Sequence, residues 1–486
     1  MLRRLSLAVA VAATTGFAWA AQPAPAASQL PTKTDLISVY KDAVDNNSDL
    51  AAAQADYLAR KEVVPQARSG LLPQVNAGGS ITDLRTSLDE PDLTLNRSAQ
   101  LIQASLSQPL FRLDRWFQLK AAKDVSQQAE LEFSATQQNL ILQTAITYFS
   151  ALQAQDNLAA SKAEEAAFKR QLDQSNERFN VGLSDKTDVL ESQAGYDTAR
   201  ANRIIAEQAV EDAFQALITL TNREYSAIEG ILHSLPVVTP TPNDAKAWVD
   251  TAVQQNLLLQ ASNYAVSSAE ETLRQRKSGH LPTVDAVVQY QKGDNDALGF
   301  TNTPGGLPGQ SGFGGHVDQT AIGVQLNVPI YSGGLTSSQV RESYQRLSQS
   351  EQLRESQRRQ VVQDARNQHR AVNTDVETVK ARRQAIISNQ SSLEATEIGY
   401  QVGTRNIVDV LDAQRQLYSA VRDYNNSRYN YILDNLRLKQ TAGTLSPADL
   451  QALSSYLKPD YDPDKDFLPP DLAKAAEEQM KGGARY

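Results

Sequence analysis

The sequence has no cysteine among its 486 residues and only four histidines. The absence of cysteine excludes disulfide bonds, thiol catalysis, zinc sites built on thiolates and a lipid anchor on an N-terminal cysteine. The histidines, His233, His280, His316 and His369, form no close pair. No Ser/His/Asp order or phosphate loop stands out, so we expect no cofactor, no metal site and no enzymatic activity.

An excess of basic residues and long apolar runs are also missing. The 47 Lys and Arg residues are outnumbered by 56 Asp and Glu, which gives a formal net charge of −9 and argues against a nucleic-acid partner. The mean hydropathy is −0.43. Beyond the N-terminal segment no run of ~18 apolar residues exists, which excludes a bundle of membrane-spanning helices.

The first residues have the pattern of a secretory signal peptide. Two arginines precede an apolar run from Leu5 to Ala13, and Ala18-Trp19-Ala20 places small residues before a cleavage site. We expect residues 1–20 to be removed on export and residues 21–33 to form a linker. The mature protein is then either soluble outside the cytoplasm or embedded in a membrane as a β-barrel.

The rest of the chain is an internal duplication. Segments that recur in the same order, roughly 210 to 220 residues apart, are Arg68-Ser69-Gly70-Leu71-Leu72-Pro73 with Lys277-Ser278-Gly279-His280-Leu281-Pro282, Pro109-Leu110-Phe111 with Pro329-Ile330-Tyr331, and Val181-Gly182 with Val402-Gly403. We expect a first repeat at residues 34–235, a Pro-rich connection at 236–243, a second repeat at 244–457 and a poorly ordered tail at 458–486.

Each repeat has the same predicted order of elements. The order is a helix of about 35 residues (34–69 and 242–278), a strand, a polar or Gly/Pro-rich loop (Asp83–Asn96 and Gly293–Asp318), a strand ending at Phe111 or Tyr331, a very long helix ending near Asn180 or Gln401, and a closing helix of about 35 residues. The second strand alternates, with Ile322, Val324 and Leu326 on one face. Taken alone, that alternation favours a half-buried soluble sheet, and it also fits a lipid-facing strand with a watery lumen behind it.

The long helices carry an apolar repeat of 3.5 residues, which indicates left-handed coiled-coil packing. In the second repeat the seam runs through Val362, Ala365, His369, Val372, Val376, Val379, Ile386 and Leu393. We expect His369 to be a packed residue on this seam. Each long helix is predicted to have ~68 residues and to span ~100 Å at ~1.5 Å per residue, so the two shorter helices of each repeat are able to stack end to end along it.

Four strands per chain imply an oligomer if the strands span a membrane. The smallest transmembrane barrels have about eight strands, and an open sheet in lipid leaves unpaired backbone groups at several kcal/mol each. Side chains fill a barrel of about eight strands, so a conduit needs at least about twelve. The sequence therefore favours three or more copies without fixing the number.

Four segments carry a family resemblance. They are Arg178-Phe179-Asn180-Val181-Gly182-Leu183, Ser278-Gly279-His280-Leu281-Pro282, Val328-Pro329-Ile330-Tyr331-Ser332-Gly333-Gly334, and the stretch from Gly399 to Asp412. With them, nearly the whole mature chain resembles the TolC family of outer-membrane efflux and secretion channels. The resemblance implies a mainly α-helical fold with a membrane β-barrel: a trimer whose shared twelve-stranded barrel continues into a long α-helical coiled-coil tunnel across the periplasm.

The resemblance also implies function, location and partners. The expected role is the outer-membrane exit duct of a tripartite efflux pump or a type I secretion system in a Gram-negative cell. The expected partners are two further copies of the chain, a periplasmic adaptor protein, an inner-membrane transporter of RND or ABC type, and outer-membrane lipid. The family has no enzymatic activity, and the cargo, a drug or a protein, stays open.

Residue roles at the periplasmic entrance follow from the same resemblance. Asp409 and Asp412 would form carboxylate rings, and their i, i+3 spacing puts both on one helical face. Links between Thr187 and Arg405, and between Asp188 and Tyr400, would close the entrance. The turns that would receive the adaptor are Val181, Gly182 and Leu183 in the first repeat and Val402, Gly403 and Thr404 in the second.

Simpler interpretations exist for each of these residues. Asp409 is also explained as an acid at a helix start, and Asp412 as a solvated surface charge. The closing residues could be ordinary caps and surface bonds. Gly182 and Gly403 are each sufficiently explained by positive φ at a helix end. For the whole protein, the alternatives are a soluble periplasmic coiled-coil scaffold and an adaptor protein.

Overall fold

The structure, a computed structural model, describes residues 33–89, 93–294 and 316–469. The predicted signal peptide, all but the last residue of the predicted linker and residues 470–486 of the predicted tail lie outside these ranges. The first repeat contains α1 (Leu36–Asn46), α2 (Ser48–Lys61), α3 (Val63–Ser69), β1 (Gln74–Leu88), β2 (Leu93–Phe111), α4 (Leu113–Asn180), α5 (Lys186–Thr221) and β3 (Gly230–Ile231).

The second repeat follows the same plan, with two short helices before its strands where the first repeat has three, and then has a short extension. Its elements are α6 (Ala245–Gln255), α7 (Leu257–Ser278), β4 (Thr283–Asp294), β5 (His316–Asn327), α8 (Leu335–Gln401), α9 (Ile407–Thr441), α10 (Pro447–Ser454), β6 (Leu457–Lys458) and α11 (Pro463–Asp466). The predicted lengths of the long and closing helices agree with α4 at 68 residues, α8 at 67, α5 at 36 and α9 at 35.

The four long strands form one antiparallel sheet in the order β1-β2-β4-β5. Its register aligns whole rows of side chains across the sheet. Val75, Leu106, Val288 and Ile322 form an apolar row, and Gly78, Gln103, Gln291 and Gln319 form a polar row on the opposite face. Alternation along each strand thus becomes one apolar and one polar face of the whole sheet.

The strands differ from the prediction at their ends. β1 reaches Leu88 and β2 begins at Leu93, so most of the predicted loop Asp83–Asn96 is paired backbone. Ladder hydrogen bonds do not need apolar side chains, and the pairing continues where the composition turns polar. β5 begins at His316, inside the predicted loop Gly293–Asp318, and residues 295–315 lie outside the described ranges.

The predicted strand end at Tyr331 was wrong, because β5 stops at Asn327. Pro329 has no N–H to donate to a ladder. Gly333 and Gly334 then take positive φ values of 62° and 82° before α8 begins. β2, by contrast, ends at Phe111 as predicted.

The first helix of each repeat is broken where one continuous helix was predicted. Asn47 caps α2 by accepting a hydrogen bond from the Leu50 N–H, and its Nδ2 donates to the Leu220 carbonyl at the end of α5 (3.2 Å). Asn256 does the same for α7, with Nδ2 donating to the Thr441 carbonyl at the end of α9 (3.0 Å). The predicted end-to-end stacking is thus formed by α2 on α5 and by α7 on α9. Beside these stacks, α1 packs on α4 and α5, and α6 packs mainly on α8.

The predicted seam of α8 is confirmed at its centre. Ala365, His369, Val372, Val376, Val379 and Ile386 are buried, whereas Val362 and Leu393 are half-buried. The main core joins this seam to α4 and α9 through Tyr148, Phe149, Leu152 and Tyr429. Among the described residues, none of the helices is long and apolar enough to cross a membrane.

The helices follow the strand order across the wall. Next to the sheet the order is α2/α3, α4, α7, α8, and toward the far end it is α5, α4, α9, α8. α8 therefore forms one open edge over its whole length, and α2, α3 and α5 form the other. Within the described part of the chain, these two edges do not pack against each other except at the far end, where the Tyr400 hydroxyl of α8 bonds Asp188 of α5.

Part of the predicted disordered tail is ordered, so the prediction was wrong for residues 458–469. Residues 457–468, here called the C-terminal strap, begin with β6 paired to β3 and bury Tyr461 and Phe467. The Asn425 Nδ2 donates to the Phe467 carbonyl (2.8 Å). These apolar anchors are isolated in a polar stretch, so they produce no helical or strand period in the sequence.

Candidate functional site

The candidate site lies at the two turns farthest from the sheet, where α4 meets α5 and α8 meets α9. At ~1.5 Å per residue, α4 and α8 place these turns ~100 Å from the strands. Both turns close in the same way. The Leu183 N–H donates to the Arg178 carbonyl (2.8 Å), and the Thr404 N–H donates to the Gly399 carbonyl (2.8 Å).

The glycine in each turn has a left-handed backbone. Gly182 has a φ of 76° and Gly403 a φ of 79°, the conformation of a Schellman helix end. Val181, Leu183 and Val402 expose 69%, 68% and 68% of their surface beside these glycines. Each turn therefore presents a rigid, partly apolar tip to its surroundings.

Tyr400 and Asp188 meet across the two helix pairs, a contact that the family resemblance implied. The Tyr400 hydroxyl donates to Asp188 Oδ2 at 3.3 Å, joining the end of α8 to the start of α5. The Asp185 side chain caps α5 by accepting from the Asp188 N–H (3.1 Å), which fixes the turn that carries this carboxylate. Burial, reinforced by the Asp188 charge, raises the pKa of the Tyr400 hydroxyl, so it stays a proton donor.

Arg178 is a partner of Tyr400 that the sequence reading missed. Its guanidinium carbon lies 5.0 Å from the Tyr400 ring centroid, within the range of a cation–π contact. Arg178 is a basic residue in the last turn of α4, and that position alone predicts only a favourable interaction with the helix dipole. The contact adds a second link between the two helix pairs at the same place.

A small apolar cluster supports this junction. Its buried members are Phe168, Ala199, Tyr400, Ile407, Val410 and Leu411. Gly195 of α5 allows the helices to approach here, since a Cβ at this position would lie 2.7 Å from Phe168 Cδ1. An isolated glycine inside a helical pattern was the signal that could have indicated this contact.

The structure does not bring Thr187 and Arg405 together within one chain. Thr187 is exposed, and Arg405 Nη1 lies 3.8 Å from Asp409 Oδ2 on its own helix pair. Arg405 sits in the turn between α8 and α9, and Thr187 is in the first turn of α5, beside Asp188, with its own side chain exposed. The predicted link is therefore not a contact within one subunit.

Asp409 and Asp412 lie side by side in the first turns of α9. Asp409 belongs to a capping box, with its N–H donating to Asn406 Oδ1 (2.9 Å), and Asp412 forms an ion pair with Arg415. The simpler interpretation of Asp409, as an acid at a helix start, therefore agrees with its capping-box contact to Asn406. Both carboxylates remain accessible, with 38% and 51% of their side-chain surface exposed.

A metal site would need several converging ligands. Within residues 33–89, 93–294 and 316–469, no group of three or more His, Asp or Glu side chains is placed to hold a metal ion. His369 is buried on the seam of α8 and lies against Asn373. This packed position is the one predicted for it.

Comparison with known proteins decides the family. The sequence profile described as "Outer membrane efflux protein" matches residues 39–223 and 248–444, one segment in each repeat. The chain belongs to the outer membrane efflux protein family. It is 38% identical over 426 residues to the outer membrane protein TolC of Vibrio cholerae, covering 87% of this chain and 94% of that protein.

Two further relatives match a similar share of this chain at lower identity. TolC of Escherichia coli is 36% identical over 88% of this chain and 86% of its own length. The alkaline protease secretion protein AprF of Pseudomonas aeruginosa is 24% identical, covering 86% of each chain. These matches confirm the predicted TolC resemblance and outer-membrane location, and they make the soluble-scaffold and adaptor alternatives wrong.

Solved structures confirm the predicted fold class for one chain. The fold matches CusC with a TM-score of 0.73 at 16% identity, covering 85% of this chain and 92% of that one. It matches the outer membrane protein VceC of Vibrio cholerae with a TM-score of 0.71 at 16% identity, covering 84% and 96%. The chain therefore has the helical-tunnel and sheet architecture of outer-membrane efflux channels.

Proposed function

We propose that three copies of this chain close one twelve-stranded barrel and one helical tunnel, and that this channel is the exit duct for drugs or proteins delivered by an inner-membrane transporter. The observation that carries the proposal is the four-stranded sheet with unpaired edges at β1 and β5, one apolar face and one polar face. Three such sheets give about twelve strands, whereas two give about eight, a barrel whose interior is filled by its own side chains.

The polar face of the sheet suits a water-filled lumen. Asn76, Gln103, Ser105, Gln289 and Gln291 lie together on it and supply uncharged hydrogen-bonding groups. The opposite face exposes Ile322 and Val324 at 80% and 68% in the single chain, as lipid contact requires. A lumen of amides and hydroxyls does not discriminate strongly by charge, so it admits cargo of either sign.

Charge selection and closure belong to the far end of the tunnel. In a trimer, Asp409 and Asp412 place six carboxylates around the entrance, which attract cations and repel anions. The Tyr400–Asp188 bond holds the two helix pairs of each copy together at this point. We assign the Thr187–Arg405 link to neighbouring copies, because both side chains are exposed and Arg405 lies near Asp409 rather than Thr187 within one chain.

The turns at the tip are the proposed docking points for a periplasmic adaptor. Val181, Gly182 and Leu183, and Val402, Gly403 and Thr404, combine exposed apolar side chains with a fixed backbone. A neutral hydrogen bond contributes ~0.5–1.5 kcal/mol and one to a charged group ~1.5–3 kcal/mol. An adaptor that binds these tips is therefore able to outcompete the closing links. Relatives named for efflux and for protease secretion support an adaptor and a transporter of RND or ABC type as partners.

Conductance across planar bilayers tests the proposal. We expect the purified protein to form cation-selective channels of low conductance, blocked by multivalent cations. Asp188→Ala combined with Arg405→Ser should raise the conductance, because both sets of closing links lose a partner. Asp409→Ala combined with Asp412→Ala should abolish the block while leaving conductance intact.

Each part of the proposal is open to contradiction. Absence of any conductance in properly folded protein would refute the channel. Unchanged cation block in the Asp409/Asp412 variant would refute the carboxylate rings, and unchanged conductance in the Asp188/Arg405 variant would refute the closing links. Glu191→Ala, which removes an exposed acid near the same tip, is the matched control for loss of charge alone.

A further inference from the structure

A strongly basic groove lies on the open edge of α8, between this helix and α6. It has a volume of about 1050 Å³, and its cations are Lys246, Arg358, Arg359, Arg366 and Arg370. Only Asp244 and Asp250 line it with the opposite charge. None of its lining residues comes from α7 or α9, the other helices that pack on α8, so the groove opens away from the rest of the chain.

Most of this positive charge has no acidic partner in the single chain. Arg358 and Arg359 share the Glu355 carboxylate. Within the described residues, Lys246, Arg366 and Arg370 form no ion pair. Burying such cations in an assembly is costly unless acids arrive with the partner surface.

The opposite edge of the chain carries an acidic surface of matching character. We call Asp45, Asp49, Glu211 and Asp212 the acidic shoulder; they lie at the junction of α1 with α2 and near the end of α5. All four are exposed, and in the part of the chain that the structure describes none has a cationic partner. Val44, 41% exposed, adds an apolar contact beside them.

The groove and the shoulder lie at similar distances from the sheet. Counted along α8 at ~1.5 Å per residue, Arg358 and Arg370 are ~35 and ~53 Å from the strand end. Counted back from the end of α3, Asp49 and Asp45 are ~30 to ~37 Å away. Asn47 contacts the Leu220 carbonyl in the last turn of α5. Asp212 lies about two helical turns before that contact, so it is ~46 Å from the sheet.

Strand pairing between copies brings the two surfaces face to face. When β5 of one copy pairs with β1 of the next, α8 of the first copy lies alongside α3, α2 and α5 of its neighbour, because each helix continues directly from its strand or packs beside it. Because the basic groove and the acidic shoulder lie at similar distances from the sheet, they then face each other across the subunit boundary.

We propose that the acidic shoulder of a second copy of this chain occupies the basic groove, forming an ion-pair belt around the middle of the tunnel at each subunit boundary. The inference rests on the proposed trimer and adds which surfaces hold it together and how salt affects it. Exposed charges are screened by salt, with a Debye length of ~8 Å at physiological ionic strength. The belt therefore predicts trimers that loosen as ionic strength rises.

Charge reversal tests the pairing. Arg366→Glu with Arg370→Glu should lower the fraction of trimer in detergent about tenfold at fixed concentration, since like charges then oppose each other. Asp45→Lys with Asp49→Lys should do the same from the other side. Combining all four changes should restore the trimer, as measured by light scattering after size-exclusion chromatography.

The matched control reverses charges away from both edges. Lys123→Glu with Lys169→Glu changes two exposed residues of α4 and should leave the trimer intact. A trimer unaffected by the Arg366/Arg370 reversal, with normal conductance, would overturn the ion-pair belt and leave the proposed channel standing. The ion-pair belt would also be overturned if the charge reversals abolished the trimer and combining all four of them did not restore it. The groove would then belong to another ligand.

Cross-linking gives a second measurement that does not depend on destabilised variants. The chain has no native cysteine, so Gln363→Cys in the groove and Asp45→Cys on the shoulder are the only thiols. Oxidation should yield covalently linked trimers on denaturing gels, whereas Gln363→Cys with Glu130→Cys on α4 should not. Failure to cross-link in protein that still forms conducting trimers refutes the pairing alone; a folded protein that is monomeric and does not conduct refutes the channel too.

Discussion

Asp156 lies in the middle of α4, where α4, α9 and the C-terminal strap meet. Only 2% of its surface is exposed. The Tyr429 hydroxyl donates to its Oδ2 (2.7 Å), and the Tyr461 hydroxyl donates to its Oδ1. One buried carboxylate of α4 thus bonds both α9 and the strap, in addition to the β3–β6 pairing and the Asn425 bond.

Burial raises the pKa of Asp156 from 3.8 to about 6, against the lowering effect of the Tyr461 and Tyr429 hydrogen bonds and of the nearby Arg428. Because the folded-state pKa lies above the unfolded one, the contribution of Asp156 to stability is fully present below about pH 4. It is lost as the pH rises through about 6, by roughly 3 kcal/mol in total.

We therefore expect the strap to open more readily at pH 7.5 than at pH 5. Amide hydrogen exchange of residues 457–468, corrected for the intrinsic pH effect, should show weaker protection at the higher pH. Asp156→Asn should remove this difference, because it keeps an oxygen acceptor and loses the titration. Asp464→Asn, an exposed strap residue paired with Lys162, is the control. Equal protection of the wild-type strap at both pH values would contradict the assignment.

Single residues were predictable where a local motif carried them. Tyr400 and Asp188 were paired through the family resemblance of the segments around the Val-Gly turns, and the structure places them in contact. Asp156 and Arg178 were not, because the resemblance gives them no role that points to a distant partner: Tyr461 is 305 residues from Asp156. Composition and spacing give no indication of a contact made only by the folded chain.

At the scale of elements, the breaks between the short helices are the informative feature. The apolar pattern continues through Asn47 and Asn256, so the sequence favoured one helix of about 35 residues in each repeat. The structure uses both asparagines as N-caps that also bond a carbonyl at the end of the neighbouring hairpin helix. A lone Asn within a periodic stretch is too weak a signal to predict a helix end.

We expect each of these two junctions to add measurably to the free energy of unfolding. Asn47→Ala and Asn256→Ala each remove a cap, costing ~0.5–2 kcal/mol, and a hydrogen bond to a helix-end carbonyl, costing ~0.5–1.5 kcal/mol. Denaturant unfolding followed by circular dichroism measures the loss. Asn46→Ala, which removes only an exposed bond to the Asp42 carbonyl, is the control. Equal effects at Asn46 and Asn47 would show that the junction adds nothing to stability.

At the scale of the whole molecule, the duplication and the sheet together determine what the chain is able to form. The order of elements in each repeat was predictable, because apolar periods of two and 3.5 are properties of the local sequence. The strand order β1-β2-β4-β5 and its register were not, since they depend on which repeat contributes the neighbouring strand. The pairing of β2 with β4 joins the hairpins of the two repeats, and its register gives the joined sheet one apolar and one polar face.

Two adjacent residues of β4 test the assignment of the two faces. Val288 lies in the apolar row between Leu106 and Ile322, and Gln289 lies on the polar face opposite Ser105. Val288→Lys should cost ~2–4 kcal/mol near the middle of the lipid layer, because the cation loses its hydration there. We expect this variant to fail to accumulate as folded protein in the outer membrane.

Gln289→Lys should instead assemble normally, because the new ammonium group meets water and amides in the lumen. Its effect should be on conduction, with lower cation selectivity in planar bilayers than the wild type, since three added charges would surround the pore of a trimer. Outer-membrane fractionation and reversal potentials measure the two effects. If Val288→Lys accumulated and Gln289→Lys did not, the lipid and lumen faces would be interchanged, and the closed barrel built from these sheets would have to be turned inside out.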